Sequence, residues 1–173
     1  KSLKYNGKWD FSPSIESTEN LSIQKEYQLF INGQFQQPLA KKYFPSINPS
    51  NEQQLSRIAK AESEDVDMAV KSARAAFNGQ WGKISGKERA KYIYRIARLI
   101  QEKSKELAIV ETLDGGKPIR ESRDIDIPLA AAHFFYYAGW ADKLEYAFPN
   151  RFPKPLGVVG QIIPWNFPLM MAA

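Results

Sequence analysis

Near one end of the 173-residue chain, Gly157-Val158-Val159-Gly160-Gln161-Ile162-Ile163 runs into Pro164-Trp165-Asn166-Phe167-Pro168. The β-branched run between glycines reads as a strand buried on both faces. The two prolines stiffen the turn that follows, because each fixes φ and removes a backbone donor. Pro168 also suits the first position of a helix, where its missing N–H costs nothing. Strand, rigid polar elbow and helix start make up the place where an open α/β sheet binds its ligands. Asn166 carries the one polar side chain of that elbow. Its amide reads either as a ligand donor or as a turn asparagine bonding its own backbone.

Few other side chains offer chemistry. The chain has no cysteine, so it has neither a disulfide framework nor a thiol metal site. His133, its one histidine, reads as a packed or surface residue. The net charge is +5 and the pI about 9.3. The basic residues Lys87, Arg89, Lys91, Arg95, Arg98, Lys103 and Lys105 are interrupted by Glu88, Glu102 and Glu106, as on a solvated helical face. Without zinc-finger, RNP or Walker spacing, nucleic acid is not expected as a partner.

A hydrophobic content of 43% with 13% aromatics predicts a sizeable core. No apolar run approaches the ~18 residues of a membrane span, so no membrane partner is expected. A cytoplasmic location follows as the default. The first residue is Lys1 rather than Met, which reads as an upstream stretch trimmed or lost.

The elements that would position the elbow can be read in order. Residues 1–26 form a polar, extended arm with isolated aromatics Tyr5, Trp9 and Phe11 that read as docking on a surface. Residues 27–142 read as a hairpin and helices. The hairpin turns at Asn32-Gly33, a pair that tolerates the positive φ of a type I′ turn. Tyr43–Ile47 is a further extended piece. Ser63 is expected to cap a helix striped with Val66, Ala69, Val70, Ala73 and Phe77. Ser85-Gly-Lys-Glu88 is a capping box for the next helix. Ser104 restarts a helix that Gly115-Gly116 ends, and Pro118 opens another reaching Trp140. Residues 143–156 read as a short two-stranded ribbon turning at Pro149-Asn150. Residues 157–173 are the first core strand and the start of its following helix. One core strand cannot make a parallel sheet. The expectation is an α/β fold cut off after its first βα step, in a fragment of a longer polypeptide.

The elbow sequence, from Gly157 to Pro168, resembles the signature of the NAD(P)-dependent aldehyde dehydrogenase superfamily. Phe30-Ile-Asn-Gly33, Asn48-Pro49, Glu111-Thr-Leu-Asp-Gly-Gly-Lys-Pro118 and Tyr136-Tyr-Ala-Gly-Trp-Ala-Asp-Lys143 support it in the same order, so the resemblance runs from about Tyr27 onward. The opening arm and Ala131-Ala-His-Phe-Phe135 resemble the bacterial family-16 branch. The resemblance implies the N-terminal part of that fold: hairpin, helices, a short oligomerisation ribbon and the first strand of a Rossmann-like sheet. It implies oxidation of a small-molecule aldehyde to a carboxylic acid with NAD or NADP. It makes Asn166 the side-chain half of an oxyanion hole, completed by a backbone N–H beside the nucleophile. It puts Ile162, Ile163, Pro164 and Trp165 beside the cofactor, and Phe167, Met171, Leu129 and Ile125 along the substrate tunnel. Ser46 and Asp114 match positions that hold a monovalent cation in some members.

Departures from the pattern matter as much. The family's cysteine nucleophile, its catalytic glutamate, its Lys-Pro-x-Glu motif and its pyrophosphate turn all fall beyond Ala173, so the isolated chain is expected to be inactive. The short 143–155 excursion favours a homodimer over a tetramer. Two other classes of function stay open at this point. One is a non-catalytic, aldehyde-dehydrogenase-like scaffold, and the other is a basic nucleic-acid module resting on charge alone.

Overall fold

The turn at Asn32-Gly33 forms as its residues dictate. In the computed structural model, which describes residues 17–18, 21–151 and 153–173, both turn residues have positive φ, at 54° and 75°. They join β2 (Leu29–Ile31) to β3 (Gln34–Gln36), with Phe30 opposite Phe35. The aromatics assigned to the opening arm, Tyr5, Trp9 and Phe11, lie outside the described residues.

A second sheet has the order β1-β5-β4. Its centre, β5 (Gln54–Ala59), pairs antiparallel with β4 (Tyr43–Ile47) and parallel with β1 (Glu26–Tyr27). The β4–β5 turn is built by Asn48. Its buried carboxamide oxygen accepts from the Ser50 N–H and hydroxyl at 2.9 and 2.7 Å.

Helix α1 (Ser63–Asn78) begins one residue earlier than expected. Its cap is Glu62, not Ser63. The Asp65 carboxylate accepts from the Glu62 N–H and, through its other oxygen, from the Leu39 N–H, both at 3.0 Å. Asp65 thus ties the helix start to the chain after β3 and is almost wholly buried. Ser63 turns instead to Glu64. A short α2 (Gln80–Lys83) follows, and then α3 (Gly86–Glu102), where Ser85 caps as expected by accepting from the Glu88 N–H.

Helix α4 (Ser104–Gly115) stops at Gly116, in the left-handed region at φ +75°. A Cβ at Gly116 would lie 2.5 Å from Pro49 Cγ, a ring that cannot swing aside. Backbone strain and this overlap together predict that Gly116→Ala loses about 2 kcal/mol. Urea unfolding of the chain checks it, with an unchanged midpoint as the contrary result.

One continuous helical run then comprises α5 (Ile119–Glu121), a π-turn (Ser122–Asp126) and α6 (Ile127–Trp140). Proline 128 sits in the first turn of α6, where it costs no bond. The main core gathers Ile100, Ala108, Ile127 and Ala131 from α3, α4 and α6, with Leu107, Phe134, Phe135 and Leu169 against it. Helix α3 packs on α6, and Ala97 of α3 and Ala130, Ala131 and Ala138 of α6 are buried.

Two expected extended elements beyond α6 form no ladder among the described residues. The described residues of 143–155 form no ribbon: α7 (Leu144–Ala147) is a helical turn, and the described residues after it pair with no strand. Pro149, Pro153 and Pro155 lack ladder donors, whereas Leu-Glu-Tyr-Ala favours a helical turn. Arg151 N–H closes a turn on the Phe148 carbonyl at 3.1 Å, with Asn150 at φ 62°. Residues 157–163 are likewise unpaired, and Ile162 is 100% exposed rather than buried. A strand is a paired element, and no described strand lies beside this one. Val66 and Val70 on α1 are exposed too and face Val158 and Val159 across an apolar groove of about 340 Å³. The elbow then opens α8 (Pro168–Ala172), with Pro168 in its first turn.

Candidate active site

The elbow is set by short-range bonds. Phe167 caps α8, and its carbonyl accepts from the Met171 N–H at 2.9 Å. Gln161 Nε2 donates to the Ala172 carbonyl at 3.3 Å, folding the approach segment back along α8. Trp165 and Asn166 project from the turn and are exposed. No hydrogen bond joins the Asn166 side chain to a described residue, so its amide is not used up in closing its own turn.

Trp165, Asn166 and Phe167 form one wall of a cleft of about 320 Å³. The other wall is Gly115, Gly116, Lys117 and Glu121, the connection between α4 and α5. Glycine at the end of α4 is what allows the chain to turn back sharply there.

Behind this cleft lies an ionic cluster that the sequence reading did not single out. Lys117 Nζ donates to Glu111 Oε1 at 2.9 Å and to Asp126 Oδ2 at 2.5 Å. The three side chains are only 12%, 5% and 2% exposed, respectively, for Lys117, Glu111 and Asp126. Lys117 Nζ also stands 4.5 Å from the centre of the Phe167 ring. Burial alone would lower the Lys117 pKa, but the hydrogen bonds to Asp126 and Glu111 hold it above the usual lysine value. Burial pushes the Glu111 carboxyl up; Lys117 opposes that, and the neighbouring Asp126 adds to it. The π-turn belongs to the same construction. It buries Ser122 and Asp126, and Ser122 accepts from Thr112 Oγ1 at 3.0 Å. One signal was available: an aspartate flanked by isoleucines, at Ile125-Asp126-Ile127, needs a buried partner.

The other expected site residues are distributed unevenly. Helix α8 packs on α6, which brings Phe167 and Met171 onto an element touching the one that carries Leu129. Ile125, Leu129, Phe167 and Met171 are all exposed, so they do not enclose a tunnel within this chain. Ile162, Ile163, Pro164 and Trp165 form an exposed ledge leading to Asn166. Ser46 and Asp114 do meet: the hydroxyl donates to the carboxylate at 2.5 Å beside Tyr27, Phe44 and Val110. No cluster of three or more His, Asp or Glu side chains suited to a metal occurs among the described residues. Half-buried His133 lies on α6, away from the elbow in sequence. No helix among the described residues is long and apolar enough to cross a membrane.

With this geometry in place, the similarities are specific. The model of the aldehyde dehydrogenase family matches residues 35–173, and the chain belongs to that family. It is 42% identical over 172 residues to the Arabidopsis thaliana aldehyde dehydrogenase family 2 member B4, mitochondrial, covering 94% of this chain and 32% of that protein. It is 42% identical over 156 residues to the Rattus norvegicus mitochondrial aldehyde dehydrogenase, covering 84% of this chain and 30% of that one. The NAD+ complex of aldehyde dehydrogenase from Bacillus cereus superposes with a TM-score of 0.81 at 42% identity, over 87% of this chain and 32% of that one. The α/β fold is therefore the N-terminal part of an aldehyde dehydrogenase, and the chain spans about a third of the length of these relatives.

Proposed function

We propose that this chain supplies the N-terminal third of an NAD(P)-dependent aldehyde dehydrogenase, with Asn166 as the side-chain donor of its oxyanion hole. The observation carrying this reading is the open Asn166 amide, held on a proline-flanked elbow at the mouth of a cleft. Attack by a thiolate turns an aldehyde carbonyl carbon tetrahedral and puts negative charge on its oxygen. An uncharged amide N–H stabilises that oxygen without forming an ion pair with the thiolate, which a cationic donor would do. Such help is effective because the donor is positioned before the charge develops.

The nucleophile must come from outside this cysteine-free sequence. NAD(P), when bound, would supply the hydride acceptor for the oxidation. Ile162, Ile163, Pro164 and Trp165 would hold it. Their fit rests on the unpaired backbone of 162–163, whose polar groups are not committed to a strand ladder, and on the exposed Trp165 face. Phe167, Met171, Leu129 and Ile125 offer apolar surface to the aldehyde's substituent. Ser46 and Asp114 would hold a monovalent cation through a backbone carbonyl and the carboxylate. A homodimer is the assembly we propose, on the shortness of the 143–155 connection.

The test is aldehyde-dependent NAD(P)H formation, measured on the full-length protein and on the 173-residue chain alone. Activity in the first and none in the second is the expected pair. Turnover by the short chain would contradict the proposal, and a full-length protein that binds NAD(P) without turnover would identify a non-catalytic member.

A further inference from the structure

We infer that Lys117 is a positioning residue for Asn166, acting through the Phe167 ring; this rests on the reading of Asn166 as the oxyanion donor. Among the described residues, hydrogen bonds do not tie the elbow to the preceding helices. The hydrogen bonds of residues 161–173 run within that segment, from Gln161 to Ala172, from Met171 to Phe167 and from Ala173 to Leu169. None of them joins residues 164–167 to α1–α7 among the described residues. Side-chain packing ties the segment to the rest of the chain, as α8 lies on α6. Leu169 rests against the main core, and the Phe167 ring faces Lys117 Nζ at 4.5 Å. Leu169 anchors the helix after the elbow, and the Lys117 contact is the one that acts on the elbow's own Phe167 side chain.

Lys117 is suited to the task by what holds it. An ammonium has three donors. Two are taken by Glu111 on α4 and Asp126 on the π-turn, so the nitrogen is fixed from two helical elements at once. Its remaining side is presented to the ring, where a desolvated cation is attracted by the π-face. Phe167 directly follows Asn166 and is the cap of α8. Seating its ring therefore fixes the backbone from which the Asn166 amide projects. A fixed donor is what an oxyanion hole requires, since an error of about 1 Å in placement forfeits much of the rate. Lys117 touches neither the aldehyde nor the cofactor in this account.

The experiment is a double-mutant cycle in the full-length enzyme, with active sites titrated so that misfolded protein does not count. The single-turnover rate of hydride transfer and the NAD(P) dissociation constant are measured for wild type, Lys117→Met, Asn166→Ala and the pair. Lys117→Met is expected to slow hydride transfer about 10-fold on its own and less than about 2-fold in the Asn166→Ala background, with cofactor affinity unchanged. A merely structural lysine would lower the count of active sites and leave the rate per site intact, which would overturn the inference. Equal slowing in both backgrounds would overturn it as well. Phe167→Leu keeps the ion cluster and removes the ring. It should show the same loss of effect in the Asn166→Ala background and carries the test if Lys117→Met does not fold. If Asn166→Ala alone leaves hydride transfer unchanged, the oxyanion reading itself fails. If Asn166→Ala is slow but the Lys117 effect multiplies it, only the positioning role fails.

Discussion

Replacing Lys117 by methionine is expected to destabilise the chain by about 3 kcal/mol at neutral pH, the usual cost of removing one partner from a buried ion pair. Methionine keeps the length of the stem, so lost packing contributes little. What remains is a pair of buried carboxylates, Glu111 and Asp126, with no counter-charge. The pH dependence follows from the shifts. Lys117 is held above its ordinary value of 10.5, so its contribution is complete below that value and is lost as pH rises through the raised one. Glu111 is raised above 4.5, so the folded chain holds that proton more tightly than the unfolded chain. Its effect on stability therefore becomes less favourable as pH rises from 4.5 towards the raised value. Without Lys117, which opposes that shift, the Glu111 proton is held tighter still. The defect of Lys117→Met should thus shrink on acidification, to about 1 kcal/mol near pH 4. Urea unfolding of both chains between acid and neutral pH checks this, and a defect independent of pH would contradict it.

How far the fold could be read in the sequence depended on whether its cause was local. Asn32-Gly33, Ser85 and Gly116 act within a few residues of themselves, and each does what its chemistry predicts. Ser63 lost its capping role to Glu62, whose N–H is held by Asp65, an aspartate whose other oxygen serves Leu39, a contact 26 residues away. Strand β5 was missed because Gln54-Leu-Ser-Arg-Ile-Ala59 puts apolar and polar residues on both faces. Its place in the centre of a sheet, not its pattern, makes it a strand. Residues 157–163 show the converse: a strong pattern without paired neighbours makes no ladder.

The candidate site divides along the same line. The elbow and Asn166 stood out because prolines, glycines and a lone amide are conspicuous in a short stretch. The Glu111–Lys117–Asp126 cluster did not. Its members are ordinary charged residues until α4, the π-turn and the chain between them bring them together. The contact from Lys117 to Phe167 spans fifty residues of sequence and depends on α8 docking at α6. No spacing rule anticipates it.

The second large effect concerns chemistry rather than stability. On the proposed reading, Asn166→Ala removes one of two oxyanion donors and should lower turnover of the full-length enzyme about 100- to 1,000-fold. The side chain is exposed and makes no hydrogen bond to a described residue, so the substitution should leave unfolding within about 0.5 kcal/mol of wild type. The ledge of Ile162, Ile163 and Trp165 proposed to hold the cofactor is untouched by it. Rate and cofactor affinity are therefore expected to separate, as they would not if Asn166 mainly shaped the cofactor cleft.

That separation is the most direct test of Asn166 as the oxyanion donor. Single-turnover hydride transfer and the NAD(P) dissociation constant should be measured on the same preparation of Asn166→Ala full-length enzyme. The account predicts a rate at least about 100-fold below wild type with affinity within about 2-fold. An unchanged rate, or a loss of affinity that accounts for the whole defect, would contradict it.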